Sequence, residues 1–496
     1  MTTPSPEPNL SPVSFGTDGI RGLAGQPPLD ALTLTRIGRA LGNWAVQARP
    51  DGSTDRAYAV IGMDTRQSGP FIAAQIAAGL QRAGLKTLLV GATTTPELAH
   101  IVTHAEDRPL GIMITASHNP FDQNGIKVFD YDGYKLADAA EAAVEALIAA
   151  DTRTVIVAPA PLLPINEALH DALHVDYARS LLGGLPEKCL DGLTVVLDCA
   201  HGAAHEIAEA VFQLAGALTF VINDDPDGVN INQNAGSEHV RRDRSALLTA
   251  ITDYDADLGI AFDGDADRVV FVTPDGTLID GDHTLGLLAV AMQAKAQLPG
   301  NTVVVTDMSN SGLAHYLAPY GITLARTKVG DRYVMAHMRA HGFSLGGEQA
   351  GHVIILDGRR TAGDGIYAGL LIASLLADHK RGDGQTLREM SNAIPRYPQV
   401  IASAHLDRQV ALDSVPGLAA LQAETLAAFA GQGRVNLRFS GTEPNLLRAM
   451  VEGGQSNTLA EVVTRARALC GLVAAATGTM QPRVDLVDCM TGAPLA

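Results

Sequence analysis

The sequence is poor in cysteine, aromatic residues and positive charge. Its 496 residues hold four cysteines and one tryptophan, and Phe, Trp and Tyr together make up 4%. Cys189, Cys199, Cys470 and Cys489 show no CxxC spacing. So few cysteines in so long a chain exclude a disulfide scaffold and fit a reducing compartment, so a cytoplasmic protein is expected. Lys and Arg number 36 against 54 Asp and Glu, a net charge of −18. That balance argues against nucleic acid or an anionic membrane as partner, because both demand a basic footprint. An anionic small molecule stays open, since a local group of Arg and Lys can oppose the overall sign. The longest apolar stretch, around Ala368–Ala377, is too short to span a bilayer. Residues 1–14, MTTPSPEPNLSPVS, carry four prolines and no basic segment before an apolar one. They read as a disordered tail rather than a secretion signal.

What is present is ordinary globular material: 46% hydrophobic and 18% charged residues. The length suggests roughly three to four domains. Helices are expected at 31–48 and 70–83, and strands at 57–63, 86–90 and 110–114. Such alternation with short loops means α/β layers. Gly79 to Gly84 has one residue too many for a P-loop and precedes a strand, so it reads as a helix end. The pattern then recurs. AVIGMD at 59–64, VVLD at 195–198 and VVVTD at 303–307 each lead into a polar loop. Each is followed by a second strand ending in another polar loop: LGIMITASHN at 110–119, LGIAFDGDAD at 258–267 and LGGEQAGH at 345–352. This long period suggests one α/β domain built three times, with three strand-end loops turned toward a common cleft. From about 385 two strands flank a Gly-Thr-Glu-Pro turn beside two helices, which suggests a smaller α+β domain.

Four loops carry chemistry. Ser117 and His118 follow a buried strand, and Asn119-Pro120 closes a sharp turn, which makes Ser117 a candidate nucleophile on a rigid support. Asp263, Asp265 and Asp267 alternate at another strand end, offering hard oxygen ligands to Mg²⁺; a solvated acidic turn is the bland alternative. An EF-hand does not fit, because Arg268 and Pro274 stand where Gly and Glu belong. Glu348, in Gly-Glu-Gln-Ala-Gly-His, could accept hydrogen bonds from vicinal sugar hydroxyls or simply shape a turn. Arg438-Phe439-Ser440-Gly441-Thr442-Glu443-Pro444 with Arg448 is a phosphate cradle by composition, and Lys328 to Arg332 adds positive charge. The set reads as phosphoryl transfer on a phosphosugar.

FGTDGIRG, TASHNP with NGIK, FDGDADR, KVGDRYV, GGEQAGH and SGTEP occur in the order of one family. From Phe15 to about residue 475 the chain resembles the α-D-phosphohexomutases. The resemblance implies phosphoserine at Ser117, and Mg²⁺ held by Ser117, Asp263, Asp265 and Asp267. It implies Arg21, His118 and Lys127 around the reacting phosphate, with Lys127 a candidate general base. Arg268, Lys328, Glu348, Arg438, Ser440, Gly441, Thr442 and Arg448 would bind substrate. SGTEP and KVGDRYV resemble the glucosamine branch, so the implied reaction interconverts glucosamine 6-phosphate and glucosamine 1-phosphate through glucosamine 1,6-bisphosphate, on the route to UDP-N-acetylglucosamine and cell wall. Two departures stand out. Ala350 replaces a Ser common in the sugar loop, and His201 stands where the family usually has Asn.

The expected division is a tail at 1–14, α/β domain I at 15–155 with the serine loop, and α/β domain II at 156–258. Domain III at 259–382 would hold the metal and sugar loops. A C-terminal α+β domain at 385–478 and a tail at 479–496 complete it. A homodimer is one expected assembly. The rival activities are a phosphomannomutase/phosphoglucomutase, a sugar phosphatase and a catalytically dead sugar-phosphate binder.

Overall fold

A computed structural model describes residues 12–48, 58–152, 164–440, 443 and 445–495. The expected tail at 1–14 falls almost wholly outside them. The described residues form four sheets. In the first, β2 (Tyr58–Met63) pairs in parallel with β3 (Lys86–Ala92) and β4 (Leu110–Ile114). Antiparallel β5 (Gln123–Phe129) and β1 (Ile20–Leu23) complete one edge. The second repeats this plan: β6 (Thr194–Asp198) lies parallel to β7 (Leu218–Ile222) and β8 (Leu258–Phe262), and β9 (Val269–Val272) and β10 (Leu278–Ile279) are added antiparallel. The third repeats it again: β11 (Thr302–Thr306) lies between parallel β12 (Thr323–Thr327) and β13 (Leu345–Gly347), and β14 (Val353–Ile355) runs antiparallel to β13. The threefold repeat expected from the sequence is thus a repeat of topology.

The central strands are buried along their whole length, as in LGIMI of β4, LGIAF of β8 and TVVVT of β11. Helices cover both faces of such sheets, so these strands read as unbroken apolar runs. In the first unit the helices Ala31–Ala48 and Gly69–Arg82 meet at Gly38 and Gly79. A Cβ at either would fall within 2.3 Å of a backbone carbonyl oxygen of the other helix, so only glycine allows this approach.

The domain boundaries need three corrections. The cut at 258/259 would split β8, which pairs with β6 from Val195↔Leu258 onward, so the metal loop belongs to the second unit. The crossing to the last domain lies later than 385, because Leu387, Met390 and Ile394 bury in the core shared by the second and third units. The stretch 479–496 is not a tail. β15 (Gln399–His405), β16 (Arg434–Phe439) and β17 (Leu446–Glu452) are joined by β18 (Arg483–Asp488) and β19 (Pro494–Leu495) in a mixed-order antiparallel sheet. The Val484-Asp485-Leu486 alternation buries Leu486 under that sheet, a short period-two signal easily lost beside charged residues. Among the described residues no helix is long and apolar enough to cross a membrane.

Candidate active site

The serine loop leaves the carboxyl end of β4. Ser117 has φ of +53°, a left-handed conformation that costs a β-substituted residue energy and must be held in place. Several groups hold it. The Thr115 hydroxyl accepts from the Ser117 N–H at 2.9 Å and donates to Asp64 at 2.6 Å. The fully buried Arg66 pairs with Asp64 at 2.9 Å. Its guanidinium also donates to the carbonyls of Ser117 (3.0 Å), Asn119 (2.8 Å), Gln123 (3.0 Å) and Pro120. Asn232, from the second unit, donates to the Ser117 and Asn119 carbonyls at 2.8 and 3.1 Å. Gly264 lies against the loop so closely that a Cβ there would sit 2.6 Å from the Ser117 carbonyl oxygen.

The metal loop meets this serine directly. The Ser117 hydroxyl donates to Asp263 Oδ2 at 2.6 Å and lies 3.3 Å from His118 Nδ1. Asp263, Asp265 and Asp267 are buried, with one ligand atom of each within 4.8 Å of the others. Lys127 Nζ donates to Asp265 at 2.7 Å and Asp267 at 2.8 Å, and lies 3.3 Å from Asp18. Burial opposes the charge on Lys127, but Asp18, Asp265 and Asp267 outweigh it and raise its pKa well above the usual lysine value. Burial and the charges of Asp267 and Asp265 hold Asp263 well above the carboxylate range. Asp267 goes the other way: burial would raise it, and Lys127, His352 and Arg268 together pull it well down.

The residues fit a divalent cation. Asp265 Oδ1 is buried without a hydrogen-bond partner, and Asp267 Oδ1 meets only His352 at 3.6 Å and Arg268 at 3.8 Å. Three hard, buried, mutually repelling carboxylates with a free oxygen describe a site for Mg²⁺-class ions.

Loops of the other units close the site. Val269 N–H donates to the Gly351 carbonyl at 3.0 Å, and Arg268 bridges to His352. Glu348 accepts from the Gly330 N–H at 3.1 Å, and burial, then Asp331, raise its pKa. The charge of Arg268, burial and the charge of Arg21 push His118 down to about 2, so its imidazole is neutral. A cleft of about 1010 Å³ opens beside these groups. Arg21 and His118 line it from the first unit, Arg268 from the second, Lys328 and Glu348 from the third, and Arg438, Ser440 and Arg448 from the fourth. Arg438 and Arg448 stand directly opposite each other on β16 and β17. Like charges so placed repel, a cost that a bound anion would remove. Arg448 also pairs with Glu443 at 2.8 Å. Gly441 and Thr442 lie outside the described residues. A net charge of −18 therefore coexists with a pair of arginines that the fourth unit sets on the cleft wall.

Some sequence signals point elsewhere. Arg332 of the KVGDR stretch grips Glu141 at 2.6 and 2.8 Å and the Thr17 carbonyl, tying the third unit to the first. Asp18 pairs with Arg21 and Lys135, and Lys135 also reaches Asp331 at 2.5 Å. Arg66, Asn232 and Lys135 carried no distinctive motif; only the polar loop Asp64–Gly69 hinted at Arg66. His201 has φ of +49°, and Asn and His are among the residues enriched in that conformation, which accounts for the exchange at this position.

Consecutive stretches match models of the phosphoglucomutase/phosphomannomutase family. Residues 12–154 match its alpha/beta/alpha domain I, 176–276 domain II, 280–397 domain III, and 403–469 its C-terminal domain. A phosphoglucosamine mutase of Salinispora tropica is 41% identical over 91% of this chain and 96% of its own. A phosphoglucomutase/phosphomannomutase family protein of Burkholderia thailandensis superimposes with a TM-score of 0.73 at 24% identity, over 91% of this chain and 96% of its own. The N-acetylphosphoglucosamine mutase of Aspergillus fumigatus, solved with GlcNAc-6P and magnesium, does so with a TM-score of 0.60 at 18% identity, over 95% and 97%. With all four domain models matched in order along the chain, it belongs to the phosphoglucomutase/phosphomannomutase family, the α-D-phosphohexomutases.

Proposed function

We propose that this chain is an isomerase that interconverts glucosamine 6-phosphate and glucosamine 1-phosphate. The observation that carries the reading is Ser117 Oγ at 2.6 Å from Asp263, inside a buried carboxylate triad and beside a cleft whose far wall presents Arg438 and Arg448. The 41% identity to a phosphoglucosamine mutase over most of both chains supports the amino sugar.

In the resting protein Ser117 carries a phosphoryl group. A hydroxyl of the substrate attacks phosphorus, the P–Oγ bond breaks, and the proton of the attacking hydroxyl is passed to Ser117 Oγ. The resulting glucosamine 1,6-bisphosphate turns over in the cleft, and Ser117 Oγ attacks the other phosphate, with the proton returning to the product hydroxyl. Bound at Asp263, Asp265 and Asp267, Mg²⁺ would neutralise charge that gathers on the transferred group. Arg21 and Arg268 face the same region and add fixed positive charge. In this reading Lys127, held as an ammonium by Asp18, Asp265 and Asp267, gives a proton to Ser117 Oγ as the P–Oγ bond breaks and takes up that of the attacking hydroxyl. Glu348 accepts from sugar hydroxyls, Lys328 contributes charge, and Arg438, Ser440, Gly441, Thr442 and Arg448 hold the phosphate that is not reacting.

Phosphorus NMR of glucosamine 6-phosphate with Mg²⁺ and a trace of bisphosphate tests this. The expected product is the 1-phosphate, lost in Ser117→Ala. Preference for glucose or mannose phosphates would replace the amino sugar with another hexose. Free phosphate without isomer would replace the mutase with a phosphatase.

A further inference from the structure

A second metal-ligating group lies away from the cleft, on the helix Glu167–Leu182. His170 and His174 are one turn apart on one face of that helix and bring their Nε2 atoms to 3.0 Å of each other. Both rings are oriented from behind. His170 Nδ1 lies 2.6 Å from the Val90 carbonyl on β3, so this nitrogen bears the hydrogen and Nε2 presents a lone pair. His174 Nδ1 lies 2.7 Å from Glu97, and the other Glu97 oxygen accepts from the Thr93 hydroxyl at 2.7 Å. A carbonyl behind one histidine and a carboxylate behind the other is the outer-shell arrangement that fixes metal-binding imidazoles. Glu206, from the second unit, brings an exposed carboxylate, and one ligand atom of each of the three residues lies within 4.8 Å of the others. Metal–nitrogen bonds of about 2.0–2.1 Å at a tetrahedral angle put two nitrogens about 3.3 Å apart, close to the separation found.

We propose that His170, His174 and Glu206 bind a divalent transition metal of the zinc class, with a fourth position left to water. Two imidazoles and one carboxylate suit zinc, whereas the all-oxygen triad at Asp263 suits Mg²⁺. None of the three residues lines the cleft. Val90 and Glu97 belong to the first unit and Glu206 to the second, so the ion would fasten those two units together through the intervening helix.

The intact protein, with Mg²⁺ in excess to fill the aspartate triad, is titrated with Zn²⁺ against a chromophoric chelator, and with Co²⁺ by visible absorption. One Zn²⁺ per chain is expected, with a tetrahedral Co²⁺ spectrum. His174→Gln should remove the cobalt band. Glu97→Gln should weaken zinc binding about 10- to 100-fold, as loss of an outer-shell partner does. Glu206→Gln should weaken it by about tenfold or more on the same scale. Circular dichroism checks that each variant folds, and the exposed Glu206 keeps the test open if a histidine variant does not. Equal zinc affinity in wild type and Glu206→Gln overturns the three-ligand site. Absence of zinc and of the cobalt band in wild type overturns the site altogether, leaving two imidazoles that share a proton.

Discussion

The two ends of the cleft are built on opposite principles. At one end Ser117 is buried, strained in φ, and fixed by Thr115, Arg66, Asn232 and Gly264. At the other, Arg438 stands on β16, at a sheet edge, Ser440 follows that strand, and Arg448 stands on its neighbour β17 with its side chain 39% exposed. The first end places a reacting atom, where an error of an ångström would cost rate. In the proposed reaction the second binds a phosphate that must be released and replaced by another when the intermediate turns over, which suits charge on an open wall. Much of the site's polar structure is therefore spent on geometry at one end and on electrostatics at the other.

Substitutions at the two ends should differ in kind as well as size. Ser117→Ala removes the atom proposed to carry the phosphoryl group, so turnover should fall by about 10⁴-fold or more with the fold intact, as measured by phosphorus NMR and circular dichroism. Arg66→Met leaves Asp64 buried without its cation and takes one donor from each of four loop carbonyls, of which those of Ser117 and Asn119 keep Asn232, so denaturant unfolding should show a loss of about 3–5 kcal/mol. If stability is unchanged, the loop is not held as described. Arg438→Ala at the open end should leave stability nearly untouched and lower kcat/KM by about 10- to 100-fold, the loss of one charged hydrogen bond or two. A comparable loss of stability would erase the contrast between the ends.

The buried end should also respond to pH through its carboxylates. Asp263 is raised, so without metal it keeps its proton to higher pH than an ordinary carboxylate. Mg²⁺ needs the ionised form. Binding should then release a proton and tighten with rising pH, by up to about tenfold per unit, until Asp263 ionises unaided. Calorimetry in buffers of different ionisation enthalpy reads that proton. Metal affinity that is flat with pH would show Asp263 already ionised. The smallest effect is expected at Ala350, which does not line the cleft. Ala350→Ser should change the ratio of glucosamine to glucose activity by less than about threefold, under about 0.7 kcal/mol on the usual scale of RT.

Different parts of the molecule were legible to different depths. The strand-end loops announced themselves, because a buried apolar run leading into Ser-His-Asn-Pro or into alternating aspartates leaves few readings. The repeat was visible as three copies of a strand-loop pattern, and the structure adds that their sheets share one pairing order. Boundaries were less legible. Nothing local tells Leu258–Phe262 that it pairs with Thr194–Asp198, on its N-terminal side, and so belongs with the second unit instead of the third. Nothing in Leu387 or Met390 names the core that receives them. Arg66, Asn232, Lys135, and the grouping of His170, His174 and Glu206, depend on partners far away in sequence, and single residues carry no periodicity to give them away.

By itself, then, the sequence determined which residues have the chemistry: a serine on a tight turn, a carboxylate triad, an arginine cradle, and three α/β units to carry them. Those are properties of neighbours along the chain, set by hydrophobic pattern and turn-forming residues. The tertiary structure alone decided which of them meet. Ser117 and Asp263 are 146 positions apart, yet share a 2.6 Å hydrogen bond. Asp18 and Asp331 grip the same lysine. Such contacts arise from how the sheets dock and where their strand ends point, and an ion pair or an orphaned buried oxygen exists only once that docking has excluded water.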